Sequence, residues 1–388
     1  MMSGTSKNDN NAAVIQIFLL ASLFSRERHW QRMHVMVMTF FLGLFLVGYF
    51  AVGVIGLALE GNSLTPKRTT TVADKERRLF LLTGPTCAFS AAVASSGLVA
   101  APQALAEETL LSPITQLSDG SNFPLASFGL QIYDDATAYR LTTTALQAGY
   151  RNFFASVLAG NQRGFAQAVM DSGIPREELY ICGSVVSNRV QGFESALRAT
   201  EKGWKANMNA FSAGKIDYLD QIMLDYPGSD CDSIRGQWAA FEDMYEQKLV
   251  KSLSVSNFSP SQLDCILLNP QTKVKPVVNQ LPYSVAYHPG ATPTSAIEEN
   301  RKRGILVQAW SPLGYSLGGR FSAKIKDQCA QIGKKYKKSW AQVALRWILQ
   351  NGASFTVQSK NKDHFAEDLD IFDFTLTEEE MKRIDQLS

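Results

Sequence analysis

The chain has 388 residues, 45% of them hydrophobic and 19% charged, the composition of a globular domain with an additional segment attached. Its 38 basic and 36 acidic residues leave a net charge of +2, too small an excess to hold a polyphosphate backbone, so nucleic acid is excluded as an expected partner. Cys87, Cys182, Cys231, Cys265 and Cys329 stand singly, none at zinc-site spacing, and only His288 and His364 fall in the C-terminal part; neither a metal site nor a dense disulfide framework is expected.

The N-terminal part reads as an address. From Val35 to Leu59 the chain runs 25 residues without a charge, preceded by Arg26, Arg28 and Arg32, which is long enough to cross a bilayer. Residues 1–60 are therefore a signal peptide or a membrane anchor. Asn62 to Glu76 is rich in Thr, Lys and Arg and poor in acids, as transit peptides are. Arg77-Arg78 then opens a second, weakly apolar signal that ends in Ala104-Leu105-Ala106 before Glu107-Glu108, a small-x-small cleavage pattern. Residues 61–115 thus form a transit-like spacer and a twin-arginine-type signal. This order resembles the tandem presequences that deliver proteins to the thylakoid lumen of algae with complex plastids. A membrane anchor followed by a linker is the competing reading, and in either case membrane contact is expected only through this segment.

From about residue 120 short apolar runs alternate with longer amphipathic ones, which predicts βα units and a parallel sheet. The runs lie near Ala126 to Leu130, Arg151 to Ala155, Leu179 to Ser184, Gln221 to Asp225, Val250 to Ser256, Pro276 to Gln280, Ile305 to Trp310 and Ser354 to Gln358. Trp340, Val343, Ala344, Trp347 and Ile348 recur at helical spacing and stop at Asn351-Gly352, and Thr377 with Glu380 forms a capping box for the last helix. Eight such units over 120–388 predict an α/β fold, a closed (β/α)₈ TIM barrel. An open doubly wound sheet would need a G-x-G-x-x-G turn after the first strand, and none is present. The clusters Arg301-Lys302-Arg303, Lys334-Lys335 and Lys337-Lys338 are expected to be solvated helix faces.

Over Phe123 to Ser388 the sequence resembles the aldo-keto reductase family. Gly149-Tyr150-Arg151, Gly160-Asn161, Val255-Ser256-Asn257-Phe258, Val278-Asn279-Gln280, Trp310-Ser311-Pro312-Leu313-Gly314, Ala341 to Trp347 and Phe372-Asp373-Phe374 carry the likeness in this order. The resemblance implies an oxidoreductase that binds NADPH or NADH across the C-terminal mouth of the barrel and passes hydride to a carbonyl. By the same resemblance Ser256, Asn257 and Gln280 would bond the carboxamide, Trp310 would stack beneath the nicotinamide, and Ser311 to Gly314, with Leu313, would meet the pyrophosphate. Each of these residues also reads as a cap or a core side chain; the set points to the cofactor.

The positions that carry the family's chemistry differ. Its aspartate, tyrosine, lysine and histidine fall on Phe154, Ala159, Ser184 and Asp225. Its contacts to the 2′-phosphate fall on Gln358 and His364, with Ser359 retained, and an adenine contact falls on Asp368, which weakens the bonding of a doubly charged phosphate. A proton donor near the hydride would have to be Asp225 or Tyr226, although Asp225 also reads as a loop cap and Tyr226 as a wall aromatic. A pocket of Phe153, Phe154, Tyr226 and Trp310 would suit a small apolar or carbonyl molecule. The alternative is a non-catalytic nucleotide-binding or structural barrel.

Overall fold

The computed structural model describes residues 112–314 and 320–387; the targeting and membrane segments expected at the N-terminus lie outside them. The described chain opens with a hairpin, β1 (Ile114–Gln116) antiparallel to β2 (Asn122–Pro124). Eight parallel strands follow: β3 (Ala126–Gly129), β4 (Asn152–Ala155), β5 (Tyr180–Val185), β6 (Leu219–Asp225), β7 (Val250–Ser256), β8 (Val278–Pro282), β9 (Leu306–Trp310) and β10 (Ser354–Val357). They close into a barrel because β10 pairs with both β9 and β3.

Helices α1 (Asp135–Ala148), α2 (Gln162–Ser172), α3 (Phe193–Phe211), α4 (Cys231–Glu246), α5 (Pro260–Leu267), α6 (Ser295–Arg301), α7 (Ala323–Tyr336), α8 (Trp340–Gln350), α9 (Lys362–Leu369) and α10 (Glu378–Asp385) cross between strands or close the chain. The expected (β/α)₈ architecture is thus the observed one. No helix among the described residues is long and apolar enough to cross a membrane.

Local chemistry explains the element ends. Ser259 with Gln262, Ser339 with Gln342 and Thr377 with Glu380 form capping boxes on α5, α8 and α10, each satisfying two amide groups that the first turn leaves over. Helix α8 buries Val343, Ala344, Trp347 and Ile348, the face its spacing predicts, and Trp347 stacks on Tyr283 at 5.4 Å. Helices pack closely where a side chain would not fit: a Cβ on Gly236 would stand 2.1 Å from the Phe193 carbonyl oxygen.

Two sequence readings need correction. Strand β8 starts at Val278, not Pro276, because Pro276 has no amide hydrogen to donate to the ladder. The basic clusters are only partly solvated: Arg303 bonds both carboxylate oxygens of Asp264, at 2.9 and 3.0 Å, and Lys338, 6% exposed, pairs with Asp370 and Asp373. Their neighbours supplied the acids that the isolated clusters lacked. Cys231 and Cys265 form a disulfide across a sequence separation of 34, which single cysteines at that spacing do not announce.

The barrel is polar inside. Tyr180 donates to Gln221 Oε1 at 2.8 Å, Gln221 Nε2 donates to Ser254 Oγ at 2.6 Å, and Asn152 Nδ2 donates to the Pro124 carbonyl at 2.8 Å. The N-terminal end is stopped by the hairpin, whose Leu117 and Phe123 pack with Tyr180 and Val278; the Phe123 and Tyr180 rings meet edge-on at 5.0 Å. The opposite end is where barrel enzymes of this type build their sites.

Candidate active site at the C-terminal mouth

Strand register sets the mouth. Asp225 pairs with Ser256, Ser256 with Gln280 and Gln280 with Gln308, so four side chains form one row around the barrel near its C-terminal end. Just beyond the strands three non-glycine residues take left-handed backbone: Tyr226 at φ 70°, Asn257 at 64° and Ser311 at 51°. Two of these turns are fixed by backbone bonds, from Tyr226 N to the Ser256 carbonyl at 3.2 Å and from Asn257 N to the Gln280 carbonyl at 2.9 Å. Such conformations persist only where surrounding structure over-determines them, and they cluster at ligand-handling sites.

Asn257 is the hub of the row. Its Nδ2 donates to Asp225 Oδ1 at 3.3 Å and to Ser256 Oγ at 2.9 Å, and its Oδ1 accepts from Trp310 Nε1 at 3.2 Å. Burial pushes the Asp225 carboxyl up to about 7, against the opposing pull of its bonds from Ser256 and Asn257. Tyr226 moves the same way: burial, then the neighbouring Asp225, raises its phenol above the usual range, so it holds its proton tightly at neutral pH. Gln280 donates through Nε2 to Gln308 Oε1 at 2.8 Å.

The positions taken from the family's catalytic set are packed, not charged. Phe154 lies beside Cys182 and Met223 in a small buried apolar cluster, and Ser184 accepts a bond from the Val157 amide at 3.3 Å. Ala159 sits in the turn after β4, while Asn161 donates to the carbonyls of Leu130 and Tyr133 and so anchors the loop after β3. Alternation along β5 and β6 puts Cys182 and Met223 on the lumen side facing Phe154, a signal present in the sequence once the strands are placed.

A cleft of about 320 Å³ runs from the mouth across its rim. Trp310, Ser311, Leu313 and Ser359 line it, together with Phe154, Gln358, His364 and Asp368. Asp225, Tyr226, Ser256, Asn257 and Gln280 do not; the first, third and fourth of these lie behind Trp310, joined to it through Asn257. Phe153, expected in the pocket, faces the helices instead and packs on Phe165 at 5.5 Å, because neighbouring strand residues point to opposite sides.

At the cleft's far end Ser359 Oγ and His364 Nδ1 bond each other at 3.0 Å. Burial, with a smaller push from Glu367, raises Asp368 to about 8, and among the described residues no hydrogen bond reaches this carboxyl. Thr356 Oγ1, also on the cleft wall, is buried without a partner. Among the described residues no group of three or more His, Cys, Asp or Glu could hold a metal ion.

Residues 125–388 match the aldo/keto reductase family. The chain belongs to that family. This aldo/keto reductase is 34% identical over 256 residues to a 9,11-endoperoxide prostaglandin H2 reductase of Trypanosoma cruzi (strain CL Brener), covering 66% of this chain and 84% of that protein. It is 32% identical over 283 residues to a glyoxal reductase of Bacillus subtilis (strain 168), covering 72% and 94%. The crystal structure of an aldo/keto reductase from Brucella melitensis superposes with a TM-score of 0.62 at 29% identity, over 71% of this chain and 100% of that one.

Proposed function

We propose that this aldo/keto reductase binds a nicotinamide dinucleotide along the mouth cleft, favours the form without a 2′-phosphate, and uses Asp225 as the acid in reduction of a small apolar carbonyl compound. The observation that carries the reading is Asp225 itself, 3% exposed, titrating at about 7 and linked through Asn257 to the Trp310 ring at the cleft. A group poised near the working pH can hold a proton in the ground state and release it as charge develops.

The free groups of the cleft fit such a cofactor. Thr356 Oγ1 and Asp368 are polar and, among the described residues, without hydrogen-bond partners. When bound, the nicotinamide supplies the hydride. The protein's part is positional and protic: Trp310 offers a flat face, Asn257 and Ser256 fix the Asp225 carboxyl, and Asp225 holds the proton. No lysine or arginine lines the far end, where Gln358, Ser359, His364 and Asp368 stand; Lys360 lies over the Tyr133 ring, 5.6 Å from its centre. A 2′-phosphate there lacks charge-assisted bonds. Ile132, Tyr133, Phe154 and Leu313 supply apolar wall for the substrate.

Titration with NADH and NADPH, followed by tryptophan quenching and calorimetry, tests this. Micromolar binding of NADH, about tenfold weaker binding of NADPH, and losses on Trp310→Ala and Gln280→Ala are expected. No binding of either at millimolar concentration overturns it. A second reading, a nucleotide-binding barrel without turnover, is favoured by the apolar Phe154, Cys182 and Met223 cluster. Turnover of a carbonyl panel that disappears in Asp225→Asn excludes that second reading.

The plastid address remains part of the proposal. It rests on the order of signals in residues 1–115 and is tested by fusing that segment to a fluorescent protein.

A further inference from the structure

The Cys231–Cys265 disulfide sits where the loops behind the candidate acid and its hub residue meet. Cys231 is the first residue of α4, reached five residues after Tyr226 by the segment Pro227 to Asp230. Cys265 is on α5, which follows directly from Asn257, Phe258 and Ser259. The bond, with Cα atoms 5.1 Å apart, therefore ties the end of the segment after Asp225 to the helix after Asn257, and the Asn257 to Asp225 hydrogen bond at 3.3 Å completes a ring.

On that ring lie two left-handed residues, Tyr226 and Asn257. The remaining anchors are unequal. Helix α5 is tied to α6 through the Asp264 and Arg303 ion pair, and α4 touches α5 through Arg235 Nε donating to the Cys265 carbonyl at 3.2 Å. The segment Pro227 to Asp230 is anchored by the Gly228 amide bonded to Gln237 Oε1 at 2.8 Å, and at its end by the Asp230 cap on Ser233 and the Ile234 amide on the Asp230 carbonyl at 3.0 Å. The two sulfurs also differ in access: Cys231 is exposed and Cys265 is buried.

We infer that this disulfide is a site for thiol–disulfide exchange with a dithiol reductant, and that its redox state sets the order of the loop after Asp225 and hence the hold of Asn257 on that carboxyl. A reductant thiolate attacks the exposed Cys231 sulfur, forms a mixed disulfide and expels Cys265 as a thiolate, which takes up a proton. The reductant's second thiol then displaces Cys231 and closes its own disulfide, so two electrons and two protons pass to the protein. The effect on ligand affinity rests on the proposed nucleotide binding; the effect on loop order does not.

The test uses the full-length protein, oxidised and after dithiothreitol, with thiol counting by alkylation and mass spectrometry. Amide exchange is followed in 226–230 and 258–267 against strand β4, alongside NADH titration. Reduction should speed exchange in 226–230 by about tenfold or more, leave β4 unchanged, and weaken NADH binding several-fold. Cys231→Ser with Cys265→Ser should show the exchange of the reduced protein and no response to dithiothreitol. Exchange identical in the two states, or a disulfide that native protein does not surrender to the dithiol, overturns the inference. Failure of NADH to bind either state bears on the nucleotide reading alone, since the exchange measurement still decides this one.

Discussion

The β4 to β6 side of the mouth and the β7 to β9 side have gone separate ways. On the first, the places that would hold an acid and its lysine carry Phe154 and Ser184, and the lumen beside them is filled by Cys182 and Met223. On the second, Ser256, Asn257, Gln280 and Trp310 keep a hydrogen-bonded polar row. A buried ion pair that loses one member leaves an uncompensated charge, whereas replacing both members with packed side chains is close to neutral. On the first side Phe154, Cys182 and Met223 are packed together with no charge among them. Asp225 stands on the seam, contributed by β6 but bonded to Asn257 after β7.

Several changes would break or sharpen that contrast. Phe154→Asp puts a lone carboxylate into the apolar cluster and should cost about 3–5 kcal/mol in denaturant melts, far more than Phe154→Leu; a cost below about 1 kcal/mol would show that the first side can still house charge. Removing the disulfide by Cys231→Ser with Cys265→Ser should cost about 3–4 kcal/mol in chemical unfolding, given the loop it closes.

Asp225→Asn is next. The carboxyl is raised from 3.8 to about 7 on folding, so between those values the unfolded chain gives up a proton that the folded chain keeps, and stability falls as pH rises. The asparagine variant should therefore lack that fall and gain on the order of 2–4 kcal/mol over the native chain at pH 8 and nothing at pH 3. Parallel pH–stability curves for the two proteins would remove the buried-acid reading. The smallest effect is at the cleft's far end: Gln358→Lys should raise NADPH affinity about tenfold and leave NADH within about twofold, and equal gains for both would mean that the 2′-phosphate does not sit there.

Much of this was legible in the sequence, for reasons that differ by element. The eight strands showed because outward positions such as Phe153, Ile222 and Val255 are apolar and turn residues interrupt them. The hairpin strands, three residues each, were too short to show a period. At the site, the row of Asp225, Ser256 and Gln280 could be placed because strand ends share one face of the barrel. What the sequence did not carry was who bonds whom: that Asn257 spends its amide on Asp225, that Asp368 is left without a hydrogen-bond partner among the described residues, or that Cys231 finds Cys265 across a separation of 34. Those depend on loops brought together by closure, where spacing along the chain has no meaning.

The stopper formed by Leu117 and Phe123 has its own consequence. With it the lumen is a cup that opens at the mouth; a chain trimmed beyond Ile114 keeps all eight barrel strands yet loses half of the hairpin that holds the stopper. The cup becomes a tube, and water reaching Tyr180 and Gln221 from below changes the dielectric seen by every lumen amide above them.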